Sequence, residues 1–179
     1  MREQPSHIAR APSAQEFDMA DKSEVARLRS LAQLDADAVG AYDAALARIP
    51  EQLVRERLNG FRIDHVRHVQ DLNALIHEAG GTPLELRLDL KGTAMVGLTA
   101  MSSMMGTEAA LVAMLGNEEF SNRAYDVALR FDWRPEVREL IEKHREDERR
   151  HVMWIRDAVR TRPWERARAI AEEGSEAPA

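Results

Sequence analysis

The sequence predicts an all-α protein, a bundle of four long helices arranged as two repeated pairs with one long connection between them. Three observations carry this. No segment shows sustained period-two alternation, whereas apolar residues recur at spacings of three and four over long stretches. The second half repeats the first at a constant offset of 83 residues, without a gap: Ala41-Tyr42-Asp43 returns as Ala124-Tyr125-Asp126, and Val54-Arg55-Glu56 as Val137-Arg138-Glu139. Asp64, Arg67, His68 and Val69 likewise return as Asp147, Arg150, His151 and Val152. The connections inside each repeat are short and the one between them is long, which gives pair, crossover, pair.

Residues 1–20, with Pro5 and Pro12, lack periodicity and read as a flexible N-terminal tail. The bundle is expected over 21–162. Asp21 and Glu24 resemble a capping box, followed by an inward stripe of Val25, Leu28, Leu31, Asp35, Ala38, Tyr42, Leu46 and Ile49. Pro50, with no N–H to donate, ends this first helix. The second runs from about 51 to 79 on Val54, Leu58, Phe61, Leu72, Leu75 and Ile76, and stops at Gly80-Gly81.

Residues 82–106 are too hydrophobic for a linker. Ala94, Met95, Leu98, Met101 and Met105 suggest a short helix packed on the bundle. Gly106-Thr107-Glu108 restarts a helix carrying Leu111, Val112, Leu115, Tyr125 and Leu129 to about Phe131. Asp132 is the expected cap of the last helix, which turns Val137, Leu140, Ile141, Trp154, Ile155 and Ala158 inward until Arg162-Pro163. Residues 163–179 read as a C-terminal tail.

Composition narrows the function. The 179 residues suffice for a core without staples, and the absence of Cys excludes disulfides and thiolate ligands. A net charge of -6 argues against nucleic acid as a partner. Basic residues gather at 145–168, but acidic ones interleave, as on a solvated helical face. No run approaches membrane-spanning length and no signal-peptide pattern opens the chain, so a cytoplasmic soluble protein is expected. The Met-rich crossover offers a surface that a homodimer could bury.

Polar residues on the inward stripes carry the functional signal. At 100° per residue, Asp35 and Tyr42 lie within about 20° of the first stripe's centre. His65 and His68 sit among Phe61, Leu72 and Ile76. Glu118 follows the line of Leu111, Leu115 and Tyr125, and Glu148 with His151 shares the face of Ile141 and Ile155. Burying such groups unpaired costs several kcal/mol each, and a metal ion is the economical compensation. Glu148-x-x-His151 places a carboxylate and an imidazole one turn apart, and His65-x-x-His68 occupies the equivalent place in the first repeat.

With Asp35, His65, His68, Glu118, Glu148, His151, Tyr42 and Tyr125, residues 24–160 resemble the ferritin-like superfamily of carboxylate-bridged dimetal four-helix bundles. The closest likeness is to bacterial ferritin-like domain proteins of unassigned function. The resemblance implies one or two iron or manganese ions, with zinc as an alternative, and ferroxidase- or peroxidase-like chemistry toward iron, oxygen or peroxide. Two positions depart from the family pattern. Asp35 replaces a Glu, and His65 stands where the second-helix bridging Glu belongs. Asp35, Glu118 and Glu148 then supply three negative charges for two divalent ions, and a neutral imidazole cannot bridge as a carboxylate does. One dominant ion position is therefore expected, and a mononuclear site of His65, His68, Glu148 and His151 competes with the pair.

Other readings stand beside these. The histidines could be core imidazoles bonded to Glu118 or Glu148 in a metal-free bundle with a structural or stress-related interaction role. Tyr42 and Tyr125 read as packing residues that cap a polar layer. His144, at the position of Phe61, reads as a core or boundary histidine. Asp64 and Asp147 are either surface residues or orient a His on a neighbouring helix.

Overall fold

The computed structural model describes residues 23–85 and 106–165. They form four long helices: α1 Glu24–Leu46, α2 Gln52–Glu78, α3 Thr107–Ala128 and α4 Pro135–Thr161. Among the described residues there is no strand, and no helix is long and apolar enough to cross a membrane. The crossover helix expected at 94–105 and the tail expected at 1–20 lie outside the described residues.

Helix α1 begins at Ser23, whose hydroxyl accepts from the Ala26 N–H, and not at the capping box expected from Asp21. Helix α4 also starts later than expected. Arg134 is its cap residue and Pro135 its first position, where a missing N–H costs nothing; Asp132 is not the cap. The last helix ends on Arg162 in the left-handed region (φ 45°) before Pro163. The core continues past that point, because Trp164 is buried.

Helix α2 closes in a Schellman motif. Gly80 adopts φ 75°, its N–H bonds the His77 carbonyl (2.9 Å), and the Gly81 N–H reaches back to Ile76 (2.8 Å). The backbone at Gly81 approaches the bundle so closely that a Cβ there would lie 2.5 Å from Val25 Cγ1.

Helix α1 packs on α2 and α3 on α4, with α1 against α3 and α2 against α4 completing the bundle. Two apolar layers close its ends. One gathers Leu28, Leu31, Leu72, Ile76, Ala128 and Ile141. The other gathers Leu111, Met114, Ile155, Ala45 and Leu58. Each residue of the first group except Ile76 is the counterpart, 83 positions away, of a residue in the second: Leu28 of Leu111, Leu31 of Met114, Leu72 of Ile155, Ala128 of Ala45, Ile141 of Leu58. The repeat is therefore a pseudo-twofold axis through the middle of the bundle. Because α2 ends in the first layer and α3 begins in the second, the connection from Ala79 to Gly106 joins opposite ends of the bundle. That distance is about 40 Å for helices of this length, and it is why this connection alone is long.

Two glycines test this packing. Gly81→Ala forces a methyl into Val25 and is expected to cost about 1–3 kcal/mol. Gly60, inside α2, has nothing within 4 Å of its missing Cβ, so Gly60→Ala is expected to gain up to ~1 kcal/mol through helix propensity. Thermal melts of the two variants should move in opposite directions.

Candidate metal centre

Between the two apolar layers lies a polar one. Asp35, His65, His68, Glu118, Glu148 and His151, from all four helices, are each fully buried. Each sits where the helical stripe predicts, and the bundle brings all six together.

Their contacts obey the repeat. Tyr42 donates its hydroxyl to Glu118 Oε1 and Tyr125 donates to Asp35 Oδ2, both at 2.6 Å. His68 Nδ1 lies 3.2 Å from Asp35, and His151 Nδ1 lies 3.2 Å from Glu118. On their far sides, His68 Nε2 meets Asp147 and His151 Nε2 meets Asp64, both at 3.1 Å. Asp64 and Asp147 are thus not free surface residues; each orients a histidine on the opposite helix pair, leaving Nδ1 aimed at the centre. Arg67 and Arg150 each pair with both aspartates, closing the α2–α4 face with alternating charge.

Two positions break the symmetry. Phe61 lies tilted against His151 with ring centroids 4.2 Å apart, while its counterpart His144 stacks on His68 at 4.0 Å. His144 is fully buried and reaches half-buried Asp71 through Nε2 at 3.1 Å. The second break is His65 against Glu148. His65 Nδ1 is 2.8 Å from Asp35 Oδ1, and its Nε2 is 3.2 Å from Glu118 Oε1. One ring therefore touches both halves of the layer.

Electrostatics separates the carboxylates. Burial pushes Asp35 and Glu118 up, but hydrogen bonds and charge from the facing histidines outweigh it and hold both well below the usual carboxylate range. Burial lowers the histidines in the same way, yet Asp147, Asp35 and Glu148 lift His68 to about 10, and Glu148, Glu118 and Asp35 lift His65 well above its ordinary value. His144 goes the other way, down to about 4, through burial and the neighbouring His68 charge. Burial, reinforced by Glu118 and Asp35, raises Glu148 despite the facing imidazoles. Tyr42 and Tyr125 are pushed up by burial and by the carboxylates they donate to, so both stay protonated donors.

Glu148 is the member left incomplete. His65 Nδ1 and His68 Nδ1 each lie 3.5 Å from Glu148 Oε1, at the outer limit of a hydrogen bond. These are long charge contacts, and both carboxylate oxygens are buried without a hydrogen-bond partner. A buried group in that state costs about 1–3 kcal/mol, more when charged.

The donor atoms have the spacing of metal ligands. Asp35, His65, His68 and Glu148 form one cluster with one ligand atom each, all within 4.8 Å of one another. His65, Glu118, Glu148 and His151 form a second of the same kind. Four ligands on one ion at about 2.1 Å stand roughly 3.4 Å apart in a tetrahedron. The separations around Asp35 and Glu148, from 2.8 to 3.5 Å, fall beside that value. Each cluster offers two nitrogens and two oxygens, and the two share His65 and Glu148. The four-residue set His65, His68, Glu148, His151 is not one of the clusters; Asp35 and Glu118 each complete a half.

No known family matches the sequence, and no curated protein is similar to it.

Three features of the centre were not singled out in the sequence: Arg67, Arg150 and the His144–Asp71 pair. The arginines had a signal, since both are identical between the repeats 83 apart. Asp71 had none, because its importance follows only from where α4 places His144. Three arginines of α4 on its outer side are paired with acids, Arg145 with Asp126, Arg156 with Glu119 and Arg160 with Asp157, as expected of a solvated face.

The reciprocal tyrosines generate a test. Tyr42→Phe and Tyr125→Phe each strip one hydrogen bond from a buried carboxylate, with an expected cost of about 1–3 kcal/mol. Both variants should lose stability in metal-free protein, Tyr125→Phe at least as much as Tyr42→Phe, because the Tyr125 hydroxyl also lies 3.4 Å from His144 Nδ1. Chemical denaturation with only one variant destabilised would refute the pseudo-twofold equivalence of the layer.

Proposed function

We propose that this protein is a ferritin-like metalloprotein that binds iron or manganese, as one or two ions, in the middle of its helical bundle. Asp35, His65, His68, Glu118, Glu148 and His151 are the ligands. Glu148 carries the reading most directly, because a carboxylate buried with neither oxygen hydrogen-bonded, and sharing two clusters with five further donor residues, is suited to an ion. Iron or manganese there supplies one-electron chemistry toward oxygen or peroxide, which makes a ferroxidase- or peroxidase-like role the reaction class this reading favours. Zinc is the alternative that a two-nitrogen, two-oxygen donor set also suits.

The chain's own residues have separable tasks in this reading. Asp35 and Glu118 are terminal ligands of the two halves, each held in one orientation by a tyrosine hydroxyl. Asp64 and Asp147 fix the histidine rings with Nδ1 inward. The apolar layers above and below exclude water, which strengthens every charge interaction between them.

One observation favours a second reading. Apart from Glu148, the imidazoles and carboxylates already satisfy one another, so a metal-free bundle with a structural or stress-related interaction role has its own support.

Anaerobic loading with Fe(II) or Mn(II), followed by desalting and elemental analysis, separates the two. The metalloprotein reading requires at least one retained ion per chain. His151→Ala and His68→Ala should each reduce retention, since either removes an inward nitrogen. Absence of bound metal under all loadings favours the second reading.

Glu148→Gln gives a sharper contrast. It removes a charge that is costly to bury, so the metal-free protein should melt a few degrees higher, with roughly 2–4 °C for each kcal/mol at this size. The same change should weaken Fe(II) or Mn(II) binding at least tenfold. A variant that is both less stable and equally tight would show that Glu148 serves packing alone.

A further inference from the structure

We infer that His65 is a bridging ligand: its Nδ1 serves the half made by Asp35, His68 and Glu148, and its Nε2 serves the half made by Glu118, Glu148 and His151. This rests on the reading of the polar layer as a metal centre and specifies how that centre is joined. The observation is directional. The two ring nitrogens of one fully buried imidazole point at different carboxylates, Nδ1 toward Asp35 Oδ1 at 2.8 Å and Nε2 toward Glu118 Oε1 at 3.2 Å. These carboxylates belong to the two different clusters, and His65 is common to both. A histidine bound at one end only would turn its other nitrogen to an outer partner, as His68 does to Asp147 and His151 does to Asp64. His65 has no such outer partner: both of its nitrogens are spent inside the layer.

The step balances in protons and charge. One ring nitrogen would take its ion through the lone pair, and the ion at the other would displace the ring's N–H proton. Two nitrogen–metal bonds form, the one N–H bond of the neutral ring breaks, and that proton leaves to solvent. The ring passes from imidazole to imidazolate and becomes a singly negative bridge. With Asp35, Glu118 and Glu148 that makes four negative charges for two divalent ions. The shortfall of one negative charge counted from the sequence holds for a neutral imidazole and disappears for a bridging one. Glu148, which has two oxygens without hydrogen-bond partners and is common to the same two clusters, is the second link.

Cu(II) is a suitable probe, because its single unpaired electron reports a bridge directly. The full chain is titrated with Cu(II) and followed by elemental analysis and electron paramagnetic resonance. The expected result is two ions per chain, with the signal growing to one equivalent and falling as the second ion couples to the first through the ring. His65→Gln, with folding checked by circular dichroism, should retain at most uncoupled copper, its signal growing in proportion to metal bound. Should that variant fail to fold, His65→Glu replaces the ring by a carboxylate, and the coupling must then change in size. Two ions with simply additive signals in the unmodified protein would overturn the bridge while leaving the metal centre intact. A limit of one ion at any loading, or coupling that persists unchanged without the ring, would do the same. No bound copper, iron or manganese at all would overturn both the bridge and the centre.

Discussion

The structure is organised by the cost of holding ionisable side chains in a dry helical core. Six carboxylates and imidazoles, all fully buried, form one layer between two apolar ones. Taking such groups out of water costs several kcal/mol apiece unless each finds a counter-charge with good geometry. Asp35, Glu118, His65, His68 and His151 find it in one another, and Tyr42 and Tyr125 complete the carboxylates from the flanks. Glu148 is served least well: the His65 and His68 imidazoles stand 3.5 Å from its Oε1, and neither of its oxygens has a hydrogen bond.

The pseudo-twofold axis explains how so many polar contacts are satisfied at once. A side chain that bonds across the axis receives the equivalent bond in return, so one solution to the packing problem serves twice. Tyr42 with Glu118 and Tyr125 with Asp35 are one such solution; His68 with Asp147 and His151 with Asp64 are another. The departures then stand out. His144 in place of Phe61 gives one half a polar neighbour that reaches Asp71, where the other half has a hydrocarbon ring. His65 opposite Glu148 places a two-ended nitrogen ligand and a two-oxygen carboxylate at the two positions shared by both clusters.

The helix boundaries illustrate what local signals do and do not fix. Gly80 ends α2 where the sequence places it, because a positive φ acts on the backbone directly, whereas α1 stops at Leu46, short of the Pro50 expected to end it, and Ile49 is buried beyond the helix. Starts are less determined. Ser23 rather than Asp21 caps α1, and Pro135 rather than a residue after Asp132 opens α4, since several neighbouring residues could terminate the same stripe and packing of the stripe decides among them. Trp164 is buried past the break at Arg162, where residues 163–165 are again helical and turn its ring onto the core.

The sequence by itself determined the all-α class, the two repeated pairs, and the six residues that face inward. Helical periodicity and an ungapped offset of 83 are properties of the chain alone, and side-chain direction on a helix follows from residue number. It could not decide which inward groups touch. That Asp64 and Asp147 serve histidines on opposite helices depends on the distance between α2 and α4, as does the joining of His144 to Asp71. The division of His65's two nitrogens between separate carboxylates depends on the rotation of one ring, which no spacing encodes. Residue types and periodicity can count charges, but only tertiary packing sets the distances and angles through which those charges act.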